Sequence, residues 1–349
     1  MSDWAFLDDS VASALDYNFV VGSGTPQYVL ANVQDTSLKF NLKDACSASF
    51  SLNQMDPIAT KVVELVTDLW VYRNGDLIFR GRIGPSQDNL DANSGYVSFT
   101  AFDYRGMLGR RYVYETDTAY WAGEDVSTIA KAMLDATQAR TAGSLGITTG
   151  VGFPTLGITR SEIEVQIGSS IGKALDDMQE SKLRGFDWEI DPLLKLNMYA
   201  NRGTTTTKYL EYKGSIKSLT RNYNTDDFAN AILASGGDIT DPISLEAATI
   251  AGDVRGRWES ESSWPDAETQ ELLNDRTEYL LEQVNVVPEE YSVDLTEGFW
   301  TGRAHIWLGD QITLLINYGR MSISKVVRVH EVSIDPDGNG AEQIKMVLK

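Results

Sequence analysis

The chain has 349 residues, 42% of them hydrophobic, a globular composition with material for two or three domains. Fifty acidic residues against 30 basic give a formal net charge of −20, which argues against broad nucleic-acid binding, because neutralising phosphates needs surplus Lys and Arg. A single cysteine, Cys46, allows neither an internal disulfide nor a cysteine-based metal site, and no apolar run approaches the ~20 residues that cross a bilayer. The first residues, MSDWAFLDDS, lack the basic and long apolar stretches of a secretory leader.

Residues 1–27 read as an N-terminal arm. From Tyr28 the pattern is β: QYVLANV, SLKFNL and CSASFSLN each show partial two-residue alternation. LWVYRNGDLIFRGRI, residues 69–83, is a hairpin in which Asn74-Gly75 supplies the positive φ of a type I′ turn. That turn sets Tyr72 opposite Leu77, Val71 opposite Ile78 and Trp70 opposite Phe79. One face then carries Trp70, Tyr72, Leu77 and Phe79, the other Leu69, Val71 and Ile78. Both faces call for cover, as in a barrel wall that packs inside and against a neighbour. After a loop rich in Asp and Asn, Val97, Phe99 and Ala101 alternate in a further strand. A short helical turn follows over Asp103 to Arg110, then a last strand through Tyr112 and Tyr114. Residues 28–115 form one β-rich domain.

An amphipathic helix is predicted from Asp125 to Gln138, with Val126, Ile129, Ala130, Met133 and Leu134 on one face. A second runs from Ile171 to Arg184, capped by Ser170 and stopped by Gly185. FDWEIDPLLKLNMYA folds back on itself at Asp191-Pro192. Residues 116–205 therefore read as a small α/β unit. KYLEY and SIKSLTRNY return to strand character, SWPD (263–266) fits a helix start, and that helix continues to Val284. The last 60 residues are β again. Between Gly236 and Trp300 there are 16 acidic residues and 3 basic, read as a solvated face or as a surface that repels polyanions.

Motifs for chemistry are weak. His305 and His330 have no metal-ligand spacing, and no G-x-S-x-G supports a Ser-His-Asp triad. GSSIGKA (168–174) is one residue short of a phosphate loop and lacks the Ser/Thr after Lys173. DPDGNG (335–340) places Asp335, Asp337 and Asn339 as in a calcium loop, but Met346 stands where a bidentate Glu is required. The pairs Glu162/Glu164 and Asp187/Glu189 could serve a glycosidase in principle. The 8 Trp and 15 Tyr suit sugar stacking or an extended protein interface. No cofactor is implied, and the chain reads as non-enzymatic.

SASFSLN, VYRNGDLIFRGRI and VSFTAFDYRGMLGRR resemble the N-terminal part of the baseplate hub, or tail-tip (minor tail), proteins of long-tailed bacteriophages. The matching positions are Phe79 to Arg82, Asp103 to Arg105 and Leu108 to Arg111. LGDQITLLI (308–316), VVRVHEVSI and the middle segment SSIGKALDDMQESKLRGFDWEID fit the same pattern in order, so the resemblance covers most of the chain. It implies an α+β fold: two β-barrel-like domains resembling the tail tube subunit, joined through the inserted α/β domain. The second barrel would be residues 206–240 plus 286–349, with 241–285 an acidic loop and helix. Three chains would make a pseudo-sixfold ring around the DNA ejection channel. The implied partners are the tail tube and distal tail protein, other tail-tip, spike or fibre proteins and the tape measure protein. Genomic DNA would be present in transit only, with no stable membrane insertion. The implied location is the virion tail tip, assembled in the host cytoplasm. Candidate subunit-interface residues are Trp70, Tyr72, Phe79, Arg80, Arg82, Arg105, Arg110 and Arg111. The alternative is a carbohydrate-binding or cell-wall-cleaving tail protein.

Overall fold

The computed structural model describes residues 16–90, 95–115, 117, 120–150, 153–159, 163–165, 167–179, 185–223, 225–237, 242–246, 253–264, 270–296, 306–336 and 341–349. It is mostly β and separates into two compact units, Met1–Leu219 with Val293–Leu348, and Thr220–Ser292 with Lys349.

The first unit opens with β1 (Tyr17–Gly22), β2 (Tyr28–Val29), β3 (Gln34–Asn41), β4 (Ser47–Asn53), β5 (Asp68–Arg73), β6 (Asp76–Leu90) and β7 (Gly95–Asp103). A short helix, α1 (Tyr104–Leu108), leads to β8 (Tyr120–Trp121), α2 (Val126–Gln138), β9 (Thr148–Thr149), β10 (Ile163–Glu164) and α3 (Ile171–Gln179). Then come β11 (Asp187–Ile190), β12 (Lys195–Tyr199), β13 (Thr205–Glu211) and β14 (Ile216–Tyr223). The second unit holds β15 (Ala231–Gly236), β16 (Ile243–Glu246), β17 (Glu259–Trp264) and α4 (Gln270–Val284). The chain closes with β18 (Glu289–Leu295), β19 (Gln311–Tyr318), β20 (Met321–Pro336) and β21 (Glu342–Leu348). β14 and β18 run across the division between the units.

Thirteen strands make one sheet, curled into a half-barrel, in the order β14-β18-β21-β20-β3-β4-β7-β6-β5-β1-β2, with β13 and β19 attached through β20. β20 is the hinge of this topology. Its first half pairs with β19, its second half with β21, and Glu331–Ile334 also pair with β3. The early and late β regions thus share one continuous sheet. Inside the curl the alternate residues of each strand meet: Leu38, Phe40, Phe50, Leu52, Leu69 and Ile83 are all buried. Phe19 lies 6.2 Å from Phe50 and Phe40 lies 6.4 Å from Phe79, between centroids of strands that are not neighbours. β1 and β5 reach back to β21 through a buried polar group. The Arg73 guanidinium pairs with Glu342, donating from Nε at 3.1 Å, and the Tyr17 hydroxyl also donates to Glu342. Strands distant in sheet order are therefore stitched together by an ion pair inside the wall.

α1, α2 and α3 share a second core with β11 and β12, centred on Trp188, Phe186, Ile129, Leu108 and Leu175. α2 forms where the sequence predicts and α3 begins where it predicts, while residues 180–184 of the expected second helix lie outside the described residues. Asp125 caps α2, accepting from Ser127 N at 2.9 Å, and Ser170 Oγ accepts from Lys173 N at 3.1 Å at the start of α3. In the second unit, β15 pairs antiparallel with β16 and parallel with β17, and Ile232, Ala234 and Leu273 form its small core under α4.

Several elements differ from the sequence reading. Tyr17–Gly22 is a strand of the sheet, paired with β5, although it falls in the segment read as an arm. QYVLANV contributes only Tyr28–Val29. Tyr112 makes an isolated bridge to Ser170 and belongs to no strand. Part of the expected acidic loop is β16 and β17. ESESSW shows no apolar alternation, because the positions on its α4 side are Ser260, Ser262 and Trp264, of which Trp264 alone is apolar, so nothing in it reads as a strand. Ser263, taken as a helix cap, lies in β17 opposite Ser235. Pro265 and Asp266 of that motif lie outside the described residues, as do the N-terminal residues 1–15.

Candidate interface site

The β5–β6 hairpin turns at Asn74 and Gly75, with φ of 50° and 87°. Tyr72 pairs with Leu77 and Arg73 with Asp76, as that turn demands. The ladder then slips by one residue: Val71 pairs with Phe79 and Trp70 with Arg80, leaving Ile78 as the extra residue of a β-bulge. This corrects the expected pairs Val71–Ile78 and Trp70–Phe79. Directly opposed residues share a face, so the bulge moves Phe79 to the inner face with Leu69 and Val71. It places Trp70, Arg80 and Arg82 together on the other face.

The two arginines converge on one carboxylate. Asp68, fully buried, accepts from Arg82 Nε at 2.8 Å, Arg80 Nη2 at 3.3 Å and the Tyr104 hydroxyl at 2.9 Å. Arg80 lies over the Trp70 ring at 5.0 Å and the Tyr104 ring at 5.6 Å. Burial works against the Arg82 charge, but its bonds to Asp68 outweigh this and raise its pKa. Burial, and then the Asp68 charge, raise the Tyr104 phenol. Gly81 explains the Arg-Gly-Arg spacing. A methyl group there would lie 2.4 Å from the Phe102 carbonyl oxygen and 2.7 Å from the Phe79 ring. Only glycine lets β6 and β7 close beneath Phe79 while the flanking arginines face Asp68. The sequence reading singled out the arginines but missed Asp68. Its one signal is register, since Asp68 stands opposite Arg82.

Arg105 is also held within the chain. Its Nη1 donates to the carbonyls of Leu42 at 3.1 Å and Trp188 at 2.9 Å, its Nη2 pairs with Asp176 at 2.7 Å, and it lies over the Trp188 ring at 4.1 Å. It thereby joins the β3–β4 connection to β11. Beside it, Asp103 caps α1 by accepting from Gly106 N at 3.1 Å, and burial pushes its carboxyl up to about 6. The neighbouring Cys46 thiol is pushed up by burial and then by the Asp103 charge.

Arg110 and Arg111 behave differently. Arg110 is exposed and Arg111 half-buried, and neither makes an ion pair among the described residues. Tyr112 and Tyr114, which follow them, are about half exposed. The hairpin residue Tyr72 is half-buried, while Trp70 and Phe79 are buried.

The remaining motifs resolve into structure. In GSSIGKA, Ser170 is a helix cap and Lys173 pairs with Asp177 one turn on, at 2.6 Å. Asp187 accepts from Arg202 N at 2.7 Å and pairs with Arg328; Glu189 accepts from the Arg202 guanidinium at 2.5 Å and from Tyr199 at 3.0 Å. Both acids are held by arginines. His330 is half-buried on β20. His305, Glu162, the Glu164 side chain, Asp337 and Asn339 lie outside the described residues. Among the described residues no His, Cys, Asp or Glu group is arranged to hold a metal, and no helix is long and apolar enough to cross a membrane.

No family model matches the sequence, and no curated protein does. Solved structures do. The chain is similar to the 43 kDa tail protein of prophage MuSo2 from Shewanella oneidensis, with a TM-score of 0.70 at 11% identity, over 95% of this chain and 97% of that one. It is similar to a tail protein from Neisseria meningitidis MC58, with a TM-score of 0.66 at 14% identity, over 95% and 96%. A third likeness is to the E. coli c3393 protein, a type VI secretion component with structural similarity to the T4 bacteriophage tail proteins gp27 and gp5. There the TM-score is 0.51 at 9% identity, over 96% and 74%. The chain has the fold of phage tail proteins.

Proposed function

We propose that this chain is a structural protein of a bacteriophage tail, acting as the hub of the tail tip. In this role it joins the tail tube to distal tip proteins around the channel through which DNA leaves. The observation that carries the reading is the fold likeness to tail proteins along nearly the whole of both chains. The internal pairing of Asp187 and Glu189 favours a structural role over sugar cleavage, which needs carboxylates open to substrate. The hub assembles as a trimer whose early and late β regions alternate in a ring. Its neighbours are the tail tube, the distal tail protein and the tape measure protein. The acidic surplus suits a channel wall that does not hold phosphate.

Gold-labelled antibody against the chain, applied to virions from a producing host, tests the location. Label at the end of the tail distal to the head is expected, and virions without label overturn the reading. Reversing several channel acids to Lys is expected to slow DNA ejection in vitro, and unchanged kinetics would count against the channel role.

A further inference from the structure

Most arginines of this chain pair with its own carboxylates, as Arg73, Arg82, Arg140 and Arg202 do. Arg110 and Arg111 stand side by side without an acidic partner among the described residues, in a chain whose acids outnumber its bases by 20. The backbone of the segment that carries them is tied down by hydrogen bonds. Arg111 O accepts from Ile171 N at 2.7 Å, Val113 N donates to Ser169 O at 3.0 Å, and Val113 O accepts from Gly168 N at 2.9 Å. Arg140 fixes its outer side, donating to Tyr112 O at 2.8 Å and lying 3.8 Å from the Tyr114 ring centroid. The result is an exposed, preorganised patch of arginine and tyrosine, the residue types enriched at interface centres. Preorganisation lowers the ordering cost of binding there.

The complementary surface is on the same chain. In the second unit, α4 covers one face of the β16-β15-β17 sheet. On the other face Leu233 is 47% exposed and opposes Ser244 on one side and Glu261 on the other. Arg257 pairs with Glu246 and Glu259 on that sheet, whereas Glu261 makes no ion pair among the described residues. On this face Glu246, Glu259 and Glu261 stand against Arg257, so the exposed leucine sits in a net negative setting that complements a tyrosine–arginine patch in polarity and charge.

We infer that the Arg110-Arg111-Tyr112-Tyr114 patch of one copy binds the Leu233/Glu261 face of the next copy. This rests on the tail-hub reading and names the contact that builds its ring. A two-fold contact through the patch would set arginines against their own copies. Contact with a different, acidic surface avoids that, and such a head-to-tail contact closes into a ring when its rotation allows.

The test is mass photometry and light scattering of the full chain. Wild type is expected to form a closed oligomer that weakens as salt rises. Arg110→Glu/Arg111→Glu should weaken assembly about tenfold or more, for the one charge pair lost to Glu261. Its circular dichroism and melting should be close to wild type, since Arg110 is exposed, Arg111 is only half-buried, and neither makes an ion pair among the described residues. Adding Glu261→Arg to the double variant should restore part of the loss. An oligomer untouched by the double reversal overturns the inference and leaves the hub reading standing. A wild type that stays monomeric at about 100 μM, where a contact of about micromolar Kd would be largely saturated, also overturns it, while virion labelling still reports on tail location. Capture of an anionic lipid or glycan by the patch, with no self-association, would assign it to another partner.

Discussion

The Arg73–Glu342 pair offers a direct measure of what holds the curled sheet together. Their side chains are 3% and 5% exposed, and the Tyr17 hydroxyl shares the same carboxylate. Arg73→Met removes the guanidinium and leaves Glu342 buried, with Tyr17 as its donor. Breaking a buried pair from one side costs about 3–5 kcal/mol, because an uncompensated charge stays behind. Replacing the whole group by apolar side chains, as Tyr17→Phe/Arg73→Met/Glu342→Leu, removes the desolvation problem with the charges. The triple variant is expected to lie within about 2 kcal/mol of wild type, and so to be more stable than the single variant. Urea unfolding with linear extrapolation resolves such differences. The reasoning fails if the triple variant is at least as unstable as the sum of its three single changes. That result would mean that the group is not coupled, and that the strands are held by the aromatic interior alone.

Three further outcomes are expected. Asp103 is raised by burial from the usual 3.8 to about 6, so its contribution is fully present below about pH 4 and lost as pH rises through about 6, costing about 3 kcal/mol at neutrality. Asp103→Asn, which can still accept from Gly106 N, should flatten the stability profile between those limits; a wild-type profile in the variant would refute this. Asp68→Asn should cost about 2–4 kcal/mol, toward the lower end because Arg80 and Arg82 keep some contact with water. The same change should bring the Tyr104 phenol down toward its ordinary range, read by ultraviolet titration. Gly81→Ala should cost about 3 kcal/mol or more, because the added methyl meets the Phe102 backbone, which cannot turn away, as well as the Phe79 ring; a melting temperature equal to wild type would contradict the close approach.

Local features were legible because local residues set them. Asn74-Gly75 fixes its turn, Asp125 and Ser170 cap their helices, and the apolar stripe of α2 meets the second core as its spacing predicts. The bulge at Ile78 was not legible, since an extra isoleucine in an apolar run looks like any other. That single residue decides which face Phe79 takes and brings Arg80 and Arg82 together over Asp68. Arg73 and Glu342 lie 269 positions apart, and neither carries a sign of the other in its own segment. The arginines at the hairpin exit stood out as charge in an apolar setting, but whether they serve their own chain or a neighbour depends on register. Arg110 and Arg111 show the converse: that they make no ion pair among the described residues appears only once those acids are placed.

β20 threads both β regions of the first unit, and a strand cannot slip by one residue without turning every side chain to the opposite face. Its pairing with β19 ends at Arg328, an irregularity of one residue follows between Val329 and Glu331, and from Glu331 onward the strand pairs with both β21 and β3. In mechanical terms the strand is a splice, not a linker. The extra residue at the join lets each half keep the register its own partners set, so the two β regions share one backbone while each fixes its own ladder.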